Sequence, residues 1–391
     1  MKIAILTSGI LPVPAVQGGA VENLIDFYLD YNNRHKLHDI TIYSTYDEKT
    51  ASHPALQSDV NHYKYIKTNS LTARIWKRIS RFFQKQNGYY DFHIEYFIRK
   101  AIKEIRKEHF DLIIMENRPA FSLHFKNGER IAYHLHNDNL NINIRKAEDI
   151  YNAAETIICV SDYITDRVRT INKNDIKTRT VYNGIDIARF SKVNSSVTKA
   201  SLGLKNNDFV IAFIGRIIPD KGIKQLIEAM LLLTDYSDIK LLVIGSSFLG
   251  SNSGNSSFHN SLNELSKPIE SNIIFTGYVN YDKIPEYLNF ADIATVPSVW
   301  EEPFGLTCIE SLAAGLPLIT TYKGGIPEVV DEKSAILLNA DNSLPQSLAD
   351  AILNLYNNKE QRKKMSKEAR LHASHFDKDE YSKNFFKAIE P

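Results

Sequence analysis

Short apolar runs of strand length recur down this chain, each followed by a stretch with helical periodicity, and the series occurs twice. In the first half, residues 3–6, 39–45, 111–115, 131–136 and 156–160 read as strands. Val21, Leu24, Ile25, Tyr28 and Leu29 recur there at helical spacing. In the second half, 209–214, 241–244, 273–276 and 293–296 read as strands, and Ile223, Leu226, Ile227 and Met230 mark a helix. Such strand–helix alternation argues for parallel sheets covered by helices on both faces. Two series predict an α/β chain of two Rossmann-like lobes, and 391 residues suffice for two domains of ordinary size.

The polar segment 191–201 is the expected linker, dividing a lobe over 1–190 from one over 191–374. A Ser/Asn/Gly-rich stretch over 246–261 reads as a mobile loop inside the second lobe. The hydrophobic share of 43% and charged share of 24% are those of a soluble globular protein. A net charge of +1 argues against a general nucleic-acid binder. The balance hides a split: residues 1–190 carry a net +5 and residues 191–391 a net −4. Cys159 and Cys308 lie in apolar runs and read as core thiols rather than a disulfide or metal site. No apolar stretch approaches the roughly 20 residues that span a bilayer, and the apolar start is too short for a signal-peptide core. The expected location is a reducing cytoplasm.

The run from Glu301 to Glu310 carries the chemistry. Glu302 falls in a loop at the carboxyl end of the strand 293–296, where open α/β sheets bind ligands. Gly305 lets a ligand approach the backbone, and the free amides of the helix start suit a phosphate. Glu310, on that helix, can accept both hydroxyls of a ribose, and Gly315 with Pro317 stops the helix. An isolated pair of glutamates at this spacing is usually no more than a helix surface; the neighbouring residues argue otherwise.

Glu302-Pro-Phe-Gly through Glu310, then Ala-Ala-Gly-Leu-Pro and Gly324-Gly325-Ile-Pro-Glu328, resembles the signature of retaining family-4 glycosyltransferases. Four segments agree in order: Gln17-Gly18-Gly19-Ala20-Val21-Glu22, Tyr182-Asn183-Gly184-Ile185-Asp186, Gly215-Arg216 to Lys221-Gly222, and Phe275-Thr276-Gly277-Tyr278-Val279. The resemblance spans nearly the whole chain and is weaker between about 50 and 130, where acceptors are usually read. It implies a GT-B architecture, two Rossmann-like lobes facing a cleft. A C-terminal helix over about 375–391 would cross back to the first lobe, with Phe376, Tyr381, Phe385 and Phe386 as its apolar face.

The resemblance also assigns roles. Arg216 and Lys221 would meet the donor diphosphate, where charge builds as the sugar leaves. Phe304, Gly305 and Leu306 would offer backbone donors, Glu302 would bind the donor sugar, and Glu310 the ribose. Tyr278 and Val279 fall where the nucleobase rests. Gly18 and Gly19 would approach the diphosphate from the first lobe, as part of a hinge closure that excludes water. Without a G-x-G-x-x-G they do not read as an NAD site.

His134 and His136 point the same way from one strand. One could face a ligand and the other support it, or both could be core histidines; His136 matches the family histidine that reaches the donor. A metal reading fails for want of a third ligand nearby, and the expected enzyme is metal-independent. The expected catalytic set is therefore His136, Glu302, Arg216 and Lys221. No cofactor is called for; the donor is a nucleotide-diphosphate sugar, with a UDP-sugar favoured, and the acceptor a glycan or lipid-linked sugar. A GT-B epimerase, a phosphorylase or a coat protein of the same architecture are the alternatives.

Residues 74–85 interleave Ile75, Trp76, Ile79, Phe82 and Phe83 with Arg74, Lys77, Arg78, Arg81 and Lys85. The plain reading is a core-facing helix with a solvated basic edge. The other is transient docking on an anionic membrane surface.

Overall fold

The computed structural model describes residues 1–83, 92–125, 128–191, 197–246 and 257–390. The chain forms two compact units, Met1–Gly184 with Lys378–Pro391, and Ile185–Asp377.

In the first unit the strands are β1 (Lys2–Leu6), β2 (Asp39–Thr45), β3 (Asn61–Ile66), β4 (Leu112–Glu116), β5 (Ile131–Leu135), β6 (Thr156–Cys159) and β7 (Thr178–Thr180). They pair in parallel, in the order β3-β2-β1-β4-β5-β6-β7. The second unit holds β8 (Phe209–Ile214), β9 (Ile239–Ile244), β10 (Ile273–Phe275), β11 (Ile293–Val296), β12 (Leu318–Thr321) and β13 (Ala335–Leu338). These are parallel as well, in the order β10-β9-β8-β11-β12-β13. The central strands β1, β4, β8 and β11 are almost wholly buried, as covering helices on both faces require. In each sheet the winding reverses beside the first strand, between β1 and β4 and between β8 and β11. Open sheets of this kind bind ligands outside the carboxyl ends of the strands at that reversal.

Four strands lie outside the sequence expectation. β3 is an edge strand whose residues past Asn61 stay partly exposed, so it lacks a continuous apolar run. β7 is three residues long, and β12 and β13 are four each. The change of unit falls at Gly184, upstream of the expected linker. Ile185 already belongs to the second unit, because its N–H donates to the Phe376 carbonyl at 2.9 Å and it bridges to Asp377. A helix, Ile187–Ser191, follows at once, and 192–196 lie outside the described residues. Residues 257–261, expected in a loop, open the helix Ser257–Ser266, whose Leu262 is buried; 247–256 lie outside the described residues.

The terminal helix Lys378–Ile389 packs within the first unit along the helix Ala20–His35. Phe385 stacks on Tyr28 with ring centroids 4.2 Å apart and planes 6° apart, and Phe386 meets Tyr28 edge-on at 6.0 Å. Such pairs are worth about 0.5–1.5 kcal/mol beyond their buried area. Arg34 grips Asp379 with both terminal nitrogens, at 3.0 and 2.5 Å. Tyr381 and Phe385 supply the apolar face as expected, but Phe376 does not. It closes the short turn Ser374–Phe376 in the second unit and lies 6.1 Å from Phe304, edge to face. Cys159 and Cys308 are free and buried, and burial pushes the Cys308 thiol up to about 12.

Candidate active site

In the second unit, the residues singled out from the sequence gather at the carboxyl ends of the strands. Arg216 and Lys221 follow β8, Tyr278 and Val279 follow β10, and Glu302 follows β11. Lys221 Nζ lies 2.5 Å from Glu302 Oε1, and the Ser298 hydroxyl donates to the same oxygen at 2.6 Å. Glu302 is 7% exposed, so its charge is largely shielded from water and held by these two partners. The Lys221 ammonium also sits 5.5 Å over the Trp300 ring. Arg216 is exposed on the same strand end. Tyr278 is 38% exposed, as a residue offering a stacking face would be.

The helix Leu306–Ala313 begins immediately after Gly305, whose φ of 110° places it in the region that favours glycine. Phe304 is buried beneath this start. The helix carries Glu310, which is 5% exposed and hydrogen-bonded to the Tyr281 hydroxyl. Burial raises the Glu310 carboxyl to about 7, against the lowering effects of Tyr281 and Arg189. Arg189 itself pairs with Asp282 at 3.0 Å and covers the Tyr281 ring at 5.2 Å.

The Gly324-Gly325 segment is strapped to the same loop. The Glu301 carboxylate accepts from the Gly324 N–H at 2.6 Å and from Lys323 Nζ at 3.0 Å, and the Gly325 N–H donates to the Glu302 carbonyl at 2.7 Å. A Cβ on Gly324, at φ 54°, would run into the Glu302 backbone.

The first unit presents a second cluster at its own strand ends. Gly18 and Gly19, both at positive φ, close the loop after β1. The Glu22 side chain folds back over this helix start so closely that a Cβ on Gly19 would strike it. Burial raises the Glu22 carboxyl to about 7, with its backbone and Ser8 bonds opposing.

His134 ends within β5 and His136 follows its last residue. Both meet Glu116, the last residue of β4, which is fully buried. His136 Nε2 is 2.8 Å from Glu116 Oε2, His134 Nδ1 is 3.1 Å from that oxygen, and the Tyr28 hydroxyl donates to Oε1 at 2.9 Å. Burial works to raise the Glu116 carboxyl, but the two imidazoles outweigh it and hold the group well below the usual carboxylate range. Burial, helped by the neighbouring His134, pushes His136 down to about 4.

The sequence argument against a metal is corrected in one respect. A third potential ligand is present, since ligand atoms of Glu116, His134 and His136 all lie within 4.8 Å of one another. In this arrangement Glu116 accepts from one nitrogen of each histidine, while His134 Nε2 and His136 Nδ1 are buried with no hydrogen-bond partner among the described residues. Glu116 escaped notice because it closes an apolar strand, where a lone glutamate carries no signal of its own. Tyr281, Arg189, Ser298 and Trp300 were missed as well, and Tyr28 was read only as part of a helix face, since each lies in a helix, turn or loop and meets its partner only through the fold.

The helix Leu71–Phe83 covers most of the basic-aromatic stretch. Leu71 and Ile75 are 74% and 52% exposed, Arg74 and Arg78 are exposed, and Trp76 lies 5.9 Å from the Tyr96 ring. The side chains of Lys77, Ile79, Arg81, Phe82 and Phe83, together with residue 85, lie outside what is described. Among the described residues no helix is long and apolar enough to cross a membrane.

Two parallel-sheet units, each with polar side chains at its strand ends, define a GT-B type α/β protein. Comparison with known proteins agrees. Residues 37–189 match the model of Glycosyltransferase Family 4, and residues 195–372 that of Glycosyl transferases group 1. YtcC of Bacillus subtilis, provisionally named a glycosyltransferase, is 30% identical over 390 residues, covering 95% of this chain and 87% of that protein. Spore coat protein SA of Bacillus subtilis is 26% identical over 100% of this chain and 99% of its own. The crystal structure of HepE from Anabaena in complex with UDP superposes with a TM-score of 0.73 at 19% identity, covering 100% of this chain and 99% of that one. The chain belongs to glycosyltransferase family 4.

Proposed function

We propose that this chain is a retaining, metal-independent glycosyltransferase. It moves a sugar from a nucleotide-diphosphate sugar, with a UDP-sugar favoured, to a glycan or lipid-linked acceptor in bacterial surface-polysaccharide synthesis. The observation that carries this reading is the Lys221–Glu302 pair in the loop that leads into the helix Leu306–Ala313, whose Gly305 cap makes no side-chain hydrogen bond to the helix start. A fixed cation, a buried carboxylate and an amide-bearing helix start are what a sugar diphosphate needs at one strand end. HepE has been crystallised with UDP and with UDP-glucose, and a relative from Salmonella typhimurium is a lipopolysaccharide 1,2-N-acetylglucosaminetransferase.

In this reading Arg216 and Lys221 take the diphosphate, with the backbone of Phe304, Gly305 and Leu306. Glu302 takes hydroxyls of the donor sugar, Glu310 the ribose, and Tyr278 with Val279 the base. His136, Gly18 and Gly19 act on the donor from the first unit. The bond from the sugar's anomeric carbon to the β-phosphate oxygen breaks while the acceptor oxygen bonds to the same face. The departing phosphate takes the acceptor's proton. Negative charge grows on that phosphate as the bond breaks, and fixed Arg and Lys charges stabilise it without reorganisation. The exposed apolar and basic residues at 71–78 would hold the enzyme transiently on an anionic membrane.

A thermal-shift screen of UDP-, GDP-, ADP- and dTDP-sugars tests the donor. Ligand at a hundred times its Kd stabilises by about 2.7 kcal/mol, so a UDP-sugar should raise Tm and the others less. No shift with any nucleotide sugar would contradict the reading. The likeness to Spore coat protein SA favours one alternative, a coat component without turnover, which would bind a nucleotide sugar yet never consume it.

A further inference from the structure

Glu116 is a fully buried carboxylate, at a place in the fold where the reaction above gives it no role. It pairs in register with His134 across β4 and β5, and receives Tyr28 from the helix after β1. An ionised carboxylate can only accept hydrogen bonds, so each ring nitrogen facing it must carry its proton. That makes His134 a donor through Nδ1 and His136 a donor through Nε2. The remaining nitrogens, His134 Nε2 and His136 Nδ1, are buried and have no partner among the described residues.

Their surroundings differ. His134 is sealed against aromatic rings of the terminal helix, 5.1 Å from Phe385 and 6.4 Å from Tyr381. His136 follows the last residue of β5, at the ligand-binding end of the sheet.

We infer that Glu116 is the positioning residue for His136. By accepting from Nε2–H it fixes the neutral ring in one tautomer and leaves Nδ1 as a bare acceptor for a hydroxyl of the donor sugar. The second clause rests on the glycosyltransferase reading; the first does not. Carboxylate-held imidazoles are fixed in this way in many sites, because the partner of one nitrogen decides the state of the other. Tyr28, stacked on Phe385, holds the opposite oxygen and so keeps the carboxylate from rotating away.

The test is long-range proton–nitrogen NMR on the full chain labelled with ¹⁵N-histidine, with His136 assigned by loss of its signals in His136→Gln. Wild type should show His136 protonated at Nε2 and bare at Nδ1. Glu116→Gln, which can present an amide N–H to the ring, should shift His136 toward the other tautomer. It should also lower kcat for UDP-glucose turnover by roughly 10- to 100-fold, the scale of one hydrogen bond to a charged group, with UDP affinity unchanged. Glu116→Asp keeps the charge and should recover part of both. His136 protonated at Nδ1 in wild type would overturn the inference, and that result does not depend on any Glu116 variant folding. So would a Glu116→Gln protein whose His136 tautomer is unchanged. If wild type turns over no nucleotide sugar, the reaction is wrong, and the tautomer spectra still decide what Glu116 does.

Discussion

The Lys221 ammonium is spoken for: it lies 2.5 Å from Oε1 of Glu302, an oxygen that also accepts from Ser298. In the proposed reaction these two residues part company, the lysine going to the diphosphate and the glutamate to sugar hydroxyls. Neither can change partner without releasing the other. On that reading donor binding would exchange this largely shielded ion pair for charge-assisted bonds to the donor, and the effects of mutating the two residues should be coupled rather than additive.

Glu310 makes binding and stability respond to pH in opposite directions. Its folded pKa is raised from 4.5 to about 7, mainly by burial. The folded state therefore holds a proton that the unfolded state gives up, and this share of stability is present below about 4.5 and lost as pH rises through about 7. Glu310→Gln should flatten the fall of Tm between pH 5 and 8. Ribose hydroxyls, in contrast, need the ionised carboxylate as acceptor. UDP affinity in wild type should strengthen by up to roughly tenfold per pH unit below the pKa and level off above it. Calorimetry at several pH values checks this, and a pH-independent Kd would remove Glu310 from the ribose site.

Gly324→Ala should damage function more than fold. The new Cβ meets the Glu302 backbone at a positive-φ position, in a loop otherwise held by Glu301 and the Gly325 N–H. Relief requires the Glu302 loop to shift, and a misplacement on the order of 1 Å can cost about 100-fold in rate. Donor turnover is expected to fall on that scale, with far-UV dichroism unchanged. Normal turnover would show that Glu302 is not held by this strap.

The anomeric carbon should keep its configuration. Product from an α-linked donor is expected to be α-linked by NMR, and EDTA should leave turnover intact, since fixed Arg and Lys charges serve the leaving phosphate. A β-linked product, or activity lost on chelation and restored by a divalent ion, would contradict the mechanism. The second outcome would direct attention to Glu116, His134 and His136.

Membrane attachment through the helix Leu71–Phe83 should be electrostatic and reversible. Each basic residue near an anionic surface contributes about 1 kcal/mol, and the Debye length shrinks to about 3 Å near 1 M salt. Co-sedimentation with anionic liposomes at low salt, lost at high salt and absent with neutral ones, is the expected result. Equal recovery in both supernatants would mean the exposed Leu71 and Ile75 have no lipid role.

Much of this was legible in the sequence. The strands 209–214 and 293–296 stood out because burial on both faces leaves an apolar run; Glu302 stood out by its place at a strand end, and Lys221 by the family resemblance of its segment. β3 was not legible, since an edge strand such as Asn61–Ile66 is half solvated and its composition resembles a loop. Glu116 and Tyr281 were hidden for a deeper reason. Each acts through a partner distant in sequence, His136 in one case and Glu310 in the other, and only the register of parallel strands and the return of the chain bring them together. Phe376 was misplaced because an apolar residue next to a terminal helix reads as part of its face, whereas the chain changes unit at Asp377.

The central claim, that a nucleoside diphosphate is held by Lys221 at the Glu302 loop, is tested most directly by titrating UDP into wild type and Lys221→Ala by calorimetry. The account predicts saturable binding at one site per chain in wild type, weakened roughly 10- to 100-fold in the variant by loss of a charge-assisted contact. Equal UDP affinity in the two proteins would contradict it.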